Sequence, residues 1–425
     1  MGMRRIARRI LIAAAGTIGV AAAGLVIWLS RSQVVQTAGG VYESILIPVG
    51  SGAIKWRADQ AVVAPAPSLN AMHGPVVRRL GGGQHEVAWY CDDHVERDTL
   101  PADSVTIECE GRRSHWQWRA PAAVPAADLP AAPRVAVVSD LEGDSAYFGI
   151  WARAMGITDS LGHWTYGNGQ VVVLGDATDR GRWVYPLLWT LYRLEGEAQA
   201  AGGAVHVVLG NHEQYNLTGV TKDIEAEHHF AMRQLARYHQ LLDSNTVLGQ
   251  WLRTRPVALR IGRTLYVHGG VSPAVLRDQL SIDTLNARSR DYLAGKSGPG
   301  RTRDDQLGLT SVTQYRGLVM GMEGHPLADD QHIQRTLGHF AVDRVVIGHT
   351  EVDSIAVLHN GRVIDVNATL SGTKALLLEQ DVPRLVDIGV QRSAWAEPSP
   401  RLRRFQLLNA NDWRALLGVF AATKN

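Results

Sequence analysis

Five short stretches of this 425-residue chain each place an oxygen- or imidazole-bearing side chain just after an apolar, strand-like run. In order they are Val137-Val138-Ser139-Asp140-Leu141-Glu142-Gly143-Asp144, Leu174-Gly175-Asp176-Ala177-Thr178-Asp179-Arg180-Gly181, Leu209-Gly210-Asn211-His212-Glu213, Tyr266-Val267-His268-Gly269-Gly270 and Val346-Ile347-Gly348-His349-Thr350. Ligands of this kind, delivered to one rim by successive strands, can hold two divalent cations. Such a pair clamps the attacking and leaving oxygens of a phosphoryl displacement. A lone Asp or Asn after a strand is usually a turn residue, and a lone histidine is usually a satisfied core or surface group. Six or seven of them in one order make those readings fail together. His163, His206, His228, His229 and His325 lack such context and read as structural.

These residues need a scaffold that brings five separate segments to one edge. Apolar, β-branched runs at 135–138, 171–174, 205–209, 265–267 and 345–347 predict strands, and 183–194 and 230–242 predict intervening helices. Continuous apolar strands separated by helices imply a sheet buried on both faces. Each motif begins where a strand ends, which is where open α/β sheets place their sites. Gly175, Gly210 and Gly348 beside the ligands let the backbone turn sharply.

The set resembles the calcineurin-like metallophosphoesterase superfamily across residues 134–370. Its Gly-Asp-x-x-Asp-Arg-Gly, Gly-Asn-His-Glu and His-Gly-Gly-x-Ser-Pro stretches are most similar to the phosphoprotein phosphatase branch. The resemblance implies an α/β fold, a two-sheet β-sandwich flanked by helices. It also implies two divalent cations, with Asp140 and Glu142 on one metal, Asp176 bridging, and Asn211, His268 and His349 completing the other. Mixed N/O ligation without cysteine suits Mn, Fe or Zn. By the same resemblance His212 is the proton donor to the leaving oxygen and Asp179 orients its imidazole. Arg180 becomes a planar phosphate clamp, and Arg316, in Tyr315-Arg316-Gly317, a second one.

Two positions depart from the family. Its first motif reads Asp-x-His-Gly, whereas this chain has Asp140-Leu141-Glu142-Gly143. Glutamate also ligates hard divalent ions, so the expectation is a working site with altered metal preference. Leu209 stands where the phosphoprotein phosphatases usually carry arginine.

Composition is that of a globular protein, with 45% hydrophobic and 20% charged residues. The net charge of +2 owes much to Arg4, Arg5, Arg8, Arg9 and Arg31; without residues 1–31, 38 basic residues face 41 acidic ones. Nothing in that balance argues for a general nucleic-acid binder, and no nucleic acid is expected as a partner. The five arginines flank an uncharged, apolar run at 10–29, long enough as a helix to span roughly 30 Å, one bilayer core. Four arginines before it and one after predict a cytoplasmic N-terminus and an exported remainder. The expected location is therefore the inner (cytoplasmic) membrane, single-pass, with a periplasmic catalytic domain. The alternative is a signal peptide cleaved near Ala21-Ala22-Ala23 and a secreted product.

The two cysteines, Cys91 and Cys109, suit one disulfide closing a loop of about 18 residues, worth roughly 3 kcal/mol by chain entropy. Residues 36–119 read as a small β-rich module or membrane-proximal stalk. Residues 120–133 form a Pro/Ala-rich linker, 134–390 the catalytic domain, and 391–425 a C-terminal extension with an amphipathic helix at Trp413, Leu416, Leu417 and Phe420. The polar, basic stretch 283–316 reads as a solvated loop, with an anion-attracting loop facing substrate as the sharper alternative. The functional expectation is a membrane-anchored phosphatase that cleaves phosphate monoesters, of a phosphoprotein or a small phosphorylated molecule, through a metal-bridging hydroxide. A nucleotide or phosphodiester hydrolase on the same scaffold is one alternative, and a non-catalytic metal-binding scaffold protein is another.

Overall fold

The computed structural model describes residues 23–58, 69, 71–121, 123–321, 326–368, 373–390 and 400–422. The chain opens with β1 (Gln33–Gln36), β2 (Tyr42–Val49) and β3 (Gly52–Arg57), followed by β4 (His73–Gly81), β5 (Gln84–Cys91) and β6 (His94–Leu100). Next come β7 (Ser104–Cys109), β8 (Arg112–Gln117), β9 (Asp128–Leu129), β10 (Arg134–Val138), β11 (Gln170–Leu174) and β12 (Ala204–Val208). After them lie β13 (Ala258–Ile261), β14 (Thr264–Val267), β15 (Arg344–Ile347), β16 (Ala356–Leu358) and β17 (Val363–Asp365). The last three are β18 (Lys374–Glu379), β19 (Val382–Asp387) and β20 (Arg401–Arg404).

Two sheets carry the motifs, one in the order β12-β11-β10-β18-β19 and the other β16-β17-β15-β14-β13-β9. In the first, β10, β11 and β12 run parallel; in the second, β14, β15 and β17 do. Val135, Val137, Val172 and Leu174 from one sheet and Leu259, Tyr266, Val346 and Ile364 from the other form a single core. The alternate residues Ala136, Val138, Val171 and Val173 are buried too. Both faces of these strands are therefore covered, which is why the runs are continuously apolar. The expected sandwich is present.

Helices cover the outer faces. Ser145–Ala154 begins at Asp144, whose carboxylate accepts from the Tyr147 N–H at 2.8 Å, a cap worth about 1 kcal/mol over alanine. Its Tyr147, Phe148, Trp151 and Ala152 are buried at helical spacing, and the chain leaves it through the left-handed Gly156. The expected helix at 183–194 is Val184–Ala200. The expected helix at 230–242 is two elements, Ala226–Leu235 and a 3-10 turn Tyr238–Leu242, because Ala236 is fully extended between them.

Contact density divides the chain into a larger unit, residues 71–228 and 232–397, and a smaller one built from residues 1–70, 229–231 and 398–425. These boundaries differ from the expected 36–119 module and 391–425 extension. Residues 71–118 belong to the larger unit. There the Trp189 indole N–H of helix Val184–Ala200 donates to the Pro75 carbonyl at 2.9 Å, and Trp116 meets Trp189 edge-on. The Cys91–Cys109 disulfide is formed and joins β5 to β7. In the expected linker, β9 pairs in parallel with β13, and Asp128 binds Arg260 through both oxygens at 2.6 Å.

The smaller unit is the sheet β20-β1-β2-β3 with helix Ala410–Ala422. Leu29, Val34, Ile45, Phe405 and Leu416 share its core, so the C-terminal segment is an integral strand and helix. Leu416 is buried and Leu417 exposed on the same helix; the Phe420 side chain lies outside the described residues. The stretch 283–316 also departs from expectation. Ile282–Leu293 and Arg303–Leu307 are helices, the first burying Leu285, Ser289 and Leu293, and Lys296 and Arg301 both pair with Asp291. Of the expected anchor, 10–29, only its last seven residues are described; they lie in a helix over residues 23–30. Among the described residues no helix is long and apolar enough to cross a membrane. His325 also lies outside the described residues.

Candidate active site

Five of the six expected ligands sit at the carboxyl end of a parallel strand: Asp140 after β10, Asp176 after β11, Asn211 after β12, His268 after β14 and His349 after β15. Asp140, Glu142, Asp176, Asp179, Arg180 and His349 all have positive φ, between 50° and 69°. Left-handed backbone costs a non-glycine residue roughly 1–2 kcal/mol, and strain of this kind concentrates at functional sites. It turns each chain off its strand and aims the side chain across the rim. Gly175 is required here, since a Cβ on it would lie 2.5 Å from the His268 ring and 2.8 Å from Gly210.

The ligand atoms of Asp176, His268 and His349 lie within 4.8 Å of one another, all buried. His268 Nδ1–H donates to the Leu174 carbonyl at 2.7 Å, which leaves Nε2 facing Asp176 Oδ2 at 2.9 Å without hydrogen-bond alignment. Asn211 Oδ1 and His349 Nε2 are buried and have no hydrogen-bond partner among the described residues. Buried polar atoms without partners call for an explanation, and divalent cations provide one for this donor set. Asp140 is buried on the same rim, accepting from Ser139 Oγ at 2.5 Å and from the His349 N–H at 3.0 Å.

The charges agree. Burial opposes a charge on His268, but the Asp176 and Asp140 carboxylates outweigh it and push its pKa up to about 10. Asp176 is likewise buried, yet the cationic His268 and His212 hold it well below the usual carboxylate range. Burial, then His268 and Arg316, push His349 down to about 2. The buried carboxylates thus draw positive charge to the rim, as a cation site must.

Beside this group, His212 Nδ1 lies 2.7 Å from Asp179 Oδ2, and Asn216 donates to the other Asp179 oxygen at 2.6 Å. Burial would lower the His212 pKa, but Asp176 and Asp179 prevail and push it up to about 9. His212 Nε2 faces Asp176 Oδ2 at 3.7 Å and Arg180 Nη2 at 3.4 Å. Arg316 reaches the same rim, donating to the His349 carbonyl at 2.6 Å. Glu142 is not brought into the Asp176–His268–His349 group; its carboxylate contacts the Arg180 guanidinium.

Comparison with known proteins decides the family. Residues 133–353, just over half of the chain, match the calcineurin-like phosphoesterase model. The chain belongs to this family. Calcineurin-like phosphoesterases use two divalent metals, and the Asp and His groups here are positioned to hold them. Similar proteins place this phosphoesterase in the phosphoprotein phosphatase branch. Shewanella-like protein phosphatase 1 of Plasmodium berghei is 27% identical over 228 residues, 52% of this chain and 62% of its own length. Shewanella-like protein phosphatase 2 of Arabidopsis thaliana is 37% identical over 86 residues, 20% of this chain and 22% of its own. The chain thus spans less than two thirds of either curated relative. The crystal structure of a cold-active protein-tyrosine phosphatase from a psychrophilic Shewanella species is 27% identical, with a TM-score of 0.67. That match covers 79% of this chain and all of the other.

Four further residues belong to this phosphoesterase site. Glu213, fully buried, accepts from the backbone N–H groups of Asp176, Gly210 and Thr178 at 2.8–2.9 Å and so ties the loop after β11 to the one after β12. Its place in Gly-Asn-His-Glu is the signal that marks it. Asn216, one helical turn after His212, could be found by that spacing. Asp223 lies within 4.8 Å of the His212–Asp179 pair, and its carbonyl accepts the Arg180 N–H at 2.9 Å. Asp365, buried at the end of β17, accepts from the Asn367 N–H at 2.9 Å, and burial pushes its pKa up to about 8. No local sequence signal identifies Asp223 or Asp365.

Proposed function

We propose that this chain is a membrane-anchored phosphatase that hydrolyses phosphate monoesters, with phosphoproteins, phosphotyrosine among them, as its substrates. The observation that carries this reading is the buried His212–Asp179 pair, 2.7 Å apart, set beside the Asp176–His268–His349 group. A binding protein has no need of a positioned proton donor. Asp140, Asp176, Asn211, His268 and His349 would hold two divalent cations, which supply charge neutralisation and a nucleophile when bound.

The remaining work falls to side chains of this chain. Asp179 holds the His212 ring through Nδ1, so Nε2 is the position from which a proton reaches the departing oxygen. Arg180 and Arg316 bind phosphoryl oxygens through their planar donor forks. Two arginines beside two cations suit the dianion of a monoester, whereas a diester has one negative charge and a second substituent to accommodate. The protein-tyrosine phosphatase from Shewanella supports the same substrate class.

The test is turnover of p-nitrophenyl phosphate, bis-p-nitrophenyl phosphate and a phosphotyrosyl peptide with Mn²⁺, comparing wild type with Asp176→Asn. Monoester turnover lost in the variant is expected. Faster turnover of the diester would replace this reading with a phosphodiesterase, and no metal-dependent turnover of any substrate would leave a binding protein.

The anchoring part of the proposal rests on the apolar run 10–29 and its arginine flanks. The exposure of Leu25, Val26, Ile27 and Trp28 is consistent with it. The Cys91–Cys109 disulfide supports an oxidising, extracytoplasmic compartment. Fractionation of cells expressing the full chain, with thiol labelling, checks both. Recovery in the cytosol with reduced cysteines would remove this part and leave the chemistry standing.

A further inference from the structure

Glu142 occupies the position at which the family's first motif carries histidine, and its surroundings assign it a different task. Residues 141–143 and 176–181 are locked together through their backbones. The Glu142 N–H donates to the Asp176 carbonyl at 2.7 Å, the Gly143 N–H to the Ala177 carbonyl at 2.9 Å, and the Trp183 N–H to the Gly143 carbonyl at 3.1 Å. A Cβ on Gly181 would lie 2.3 Å from the Glu142 carbonyl oxygen, so this approach admits only glycine. Glu142 and Arg180 both have left-handed backbone, at φ 50° and 54°. Two fixed turns thus bring a carboxylate against a guanidinium. The Glu142 side chain is 12% exposed and that of Arg180 56%, which places the pair at the mouth of the site. Nη1 of Arg180 takes the carboxylate, while Nη2 lies 3.4 Å from the His212 ring.

We propose that Glu142 is the resident anion of the phosphate-binding arginine and not a metal ligand. It holds Arg180 in place at the mouth of the site and yields it to the incoming phosphoryl group. One edge of a guanidinium fork binds a carboxylate or a phosphate, not both. A phosphoryl dianion that takes the Nη1 edge therefore displaces Glu142, and the return of Glu142 helps to expel inorganic phosphate. The cost of displacement falls on every anion equally, so it lowers the affinity for each by the same factor and speeds release of the product.

This inference rests on the reading of Arg180 as a phosphate clamp, and four variants separate the two ideas. The full chain, loaded with Mn²⁺, is compared as wild type, Glu142→Gln, Arg180→Gln and the double variant. Bound metal is measured by elemental analysis, and inorganic phosphate is titrated as a competitive inhibitor. Arg180→Gln alone is expected to weaken phosphate by about tenfold. Glu142→Gln should keep the wild-type metal content and bind phosphate about three- to fivefold more tightly. In the Arg180→Gln background that gain should vanish. Glu142→Asp, which keeps the charge but shortens the arm, should reproduce part of the gain and serves if Glu142→Gln does not fold. Loss of metal in Glu142→Gln would make Glu142 a ligand and overturn the proposal. So would an unchanged phosphate affinity in Glu142→Gln and Glu142→Asp alongside a weakened Arg180→Gln, or a full gain that persists without Arg180. Phosphate binding unaffected by Arg180→Gln would overturn the clamp reading, and this inference with it.

Discussion

His212 has two nitrogens in unequal surroundings: Nδ1 is committed to Asp179 at 2.7 Å, whereas Nε2 faces the rim. A proton donor so placed matters in proportion to the basicity of the leaving oxygen. His212→Ala is therefore expected to lower kcat by about 10²–10³ on a phosphotyrosyl peptide and by less than about tenfold on dinitrophenyl phosphate. Parallel assays on the two substrates check this, and equal losses would exclude the donor role. Local pattern made this pair legible, because Asp179 lies three residues past Asp176 and His212 one past Asn211 within recognisable motifs. The partner of Glu142 was not legible. Sequence shows the residue type at that position but not which cation a left-handed turn will bring to it.

At the scale of elements, β1 is the instructive case. It pairs with β2 on one side and with β20 on the other, with Gln33 opposite Arg404 and Val35 opposite Leu402. Asp412 of the C-terminal helix fastens this arrangement. Its carboxylate accepts from Arg403 at 2.5 and 2.7 Å, from the Tyr42 hydroxyl at 2.8 Å and from the Gln406 N–H at 2.8 Å. Burial would raise its pKa, but Arg403, the Gln406 N–H and Tyr42 outweigh burial and hold it below the usual value. A depressed folded-state pKa gives stability that is present above the unfolded value of about 3.9 and lost as pH falls through the folded value. Asp412→Asn is accordingly expected to cost about 1–3 kcal/mol near neutral pH. The difference from wild type should shrink once pH drops below about 4. Urea denaturation of both proteins between pH 3 and pH 7 tests the sign, and a gap that widens in acid would refute the assignment.

For the molecule as a whole, a cation held by the buried Asp140, Asp176, His268 and His349 would couple metal binding to folding. A ligand that binds only the folded state, at a hundred times its Kd, adds about 2.7 kcal/mol. In a unit of this size that corresponds to a rise in Tm of roughly 4 °C. Chelation is expected to lower the melting temperature by that amount, and excess Mn²⁺ to restore it. Asp176→Asn should show no Mn²⁺-dependent shift, read by calorimetry without any activity assay. A wild-type protein indifferent to chelator would exclude the cation site.

The sequence alone determined the strands, the order of the motifs and the rim on which their side chains gather. Apolar runs at 135–138 and 171–174 specify doubly covered strands through local periodicity, and a residue just past such a strand must lie at its carboxyl end. The cysteine pair was legible for a similar reason, since two cysteines offer a single intramolecular pairing. Only the tertiary structure decided which distant segments meet. It joined β20 to β1 across more than 360 residues, assigned 71–118 to the catalytic unit, made 282–293 a packed helix and set Asp365 beside the site. Periodicity along a chain reports which face of an element is buried. The partner that buries it is selected by shape and by hydrogen-bonding edges brought together in three dimensions, and short-range spacing does not encode that choice.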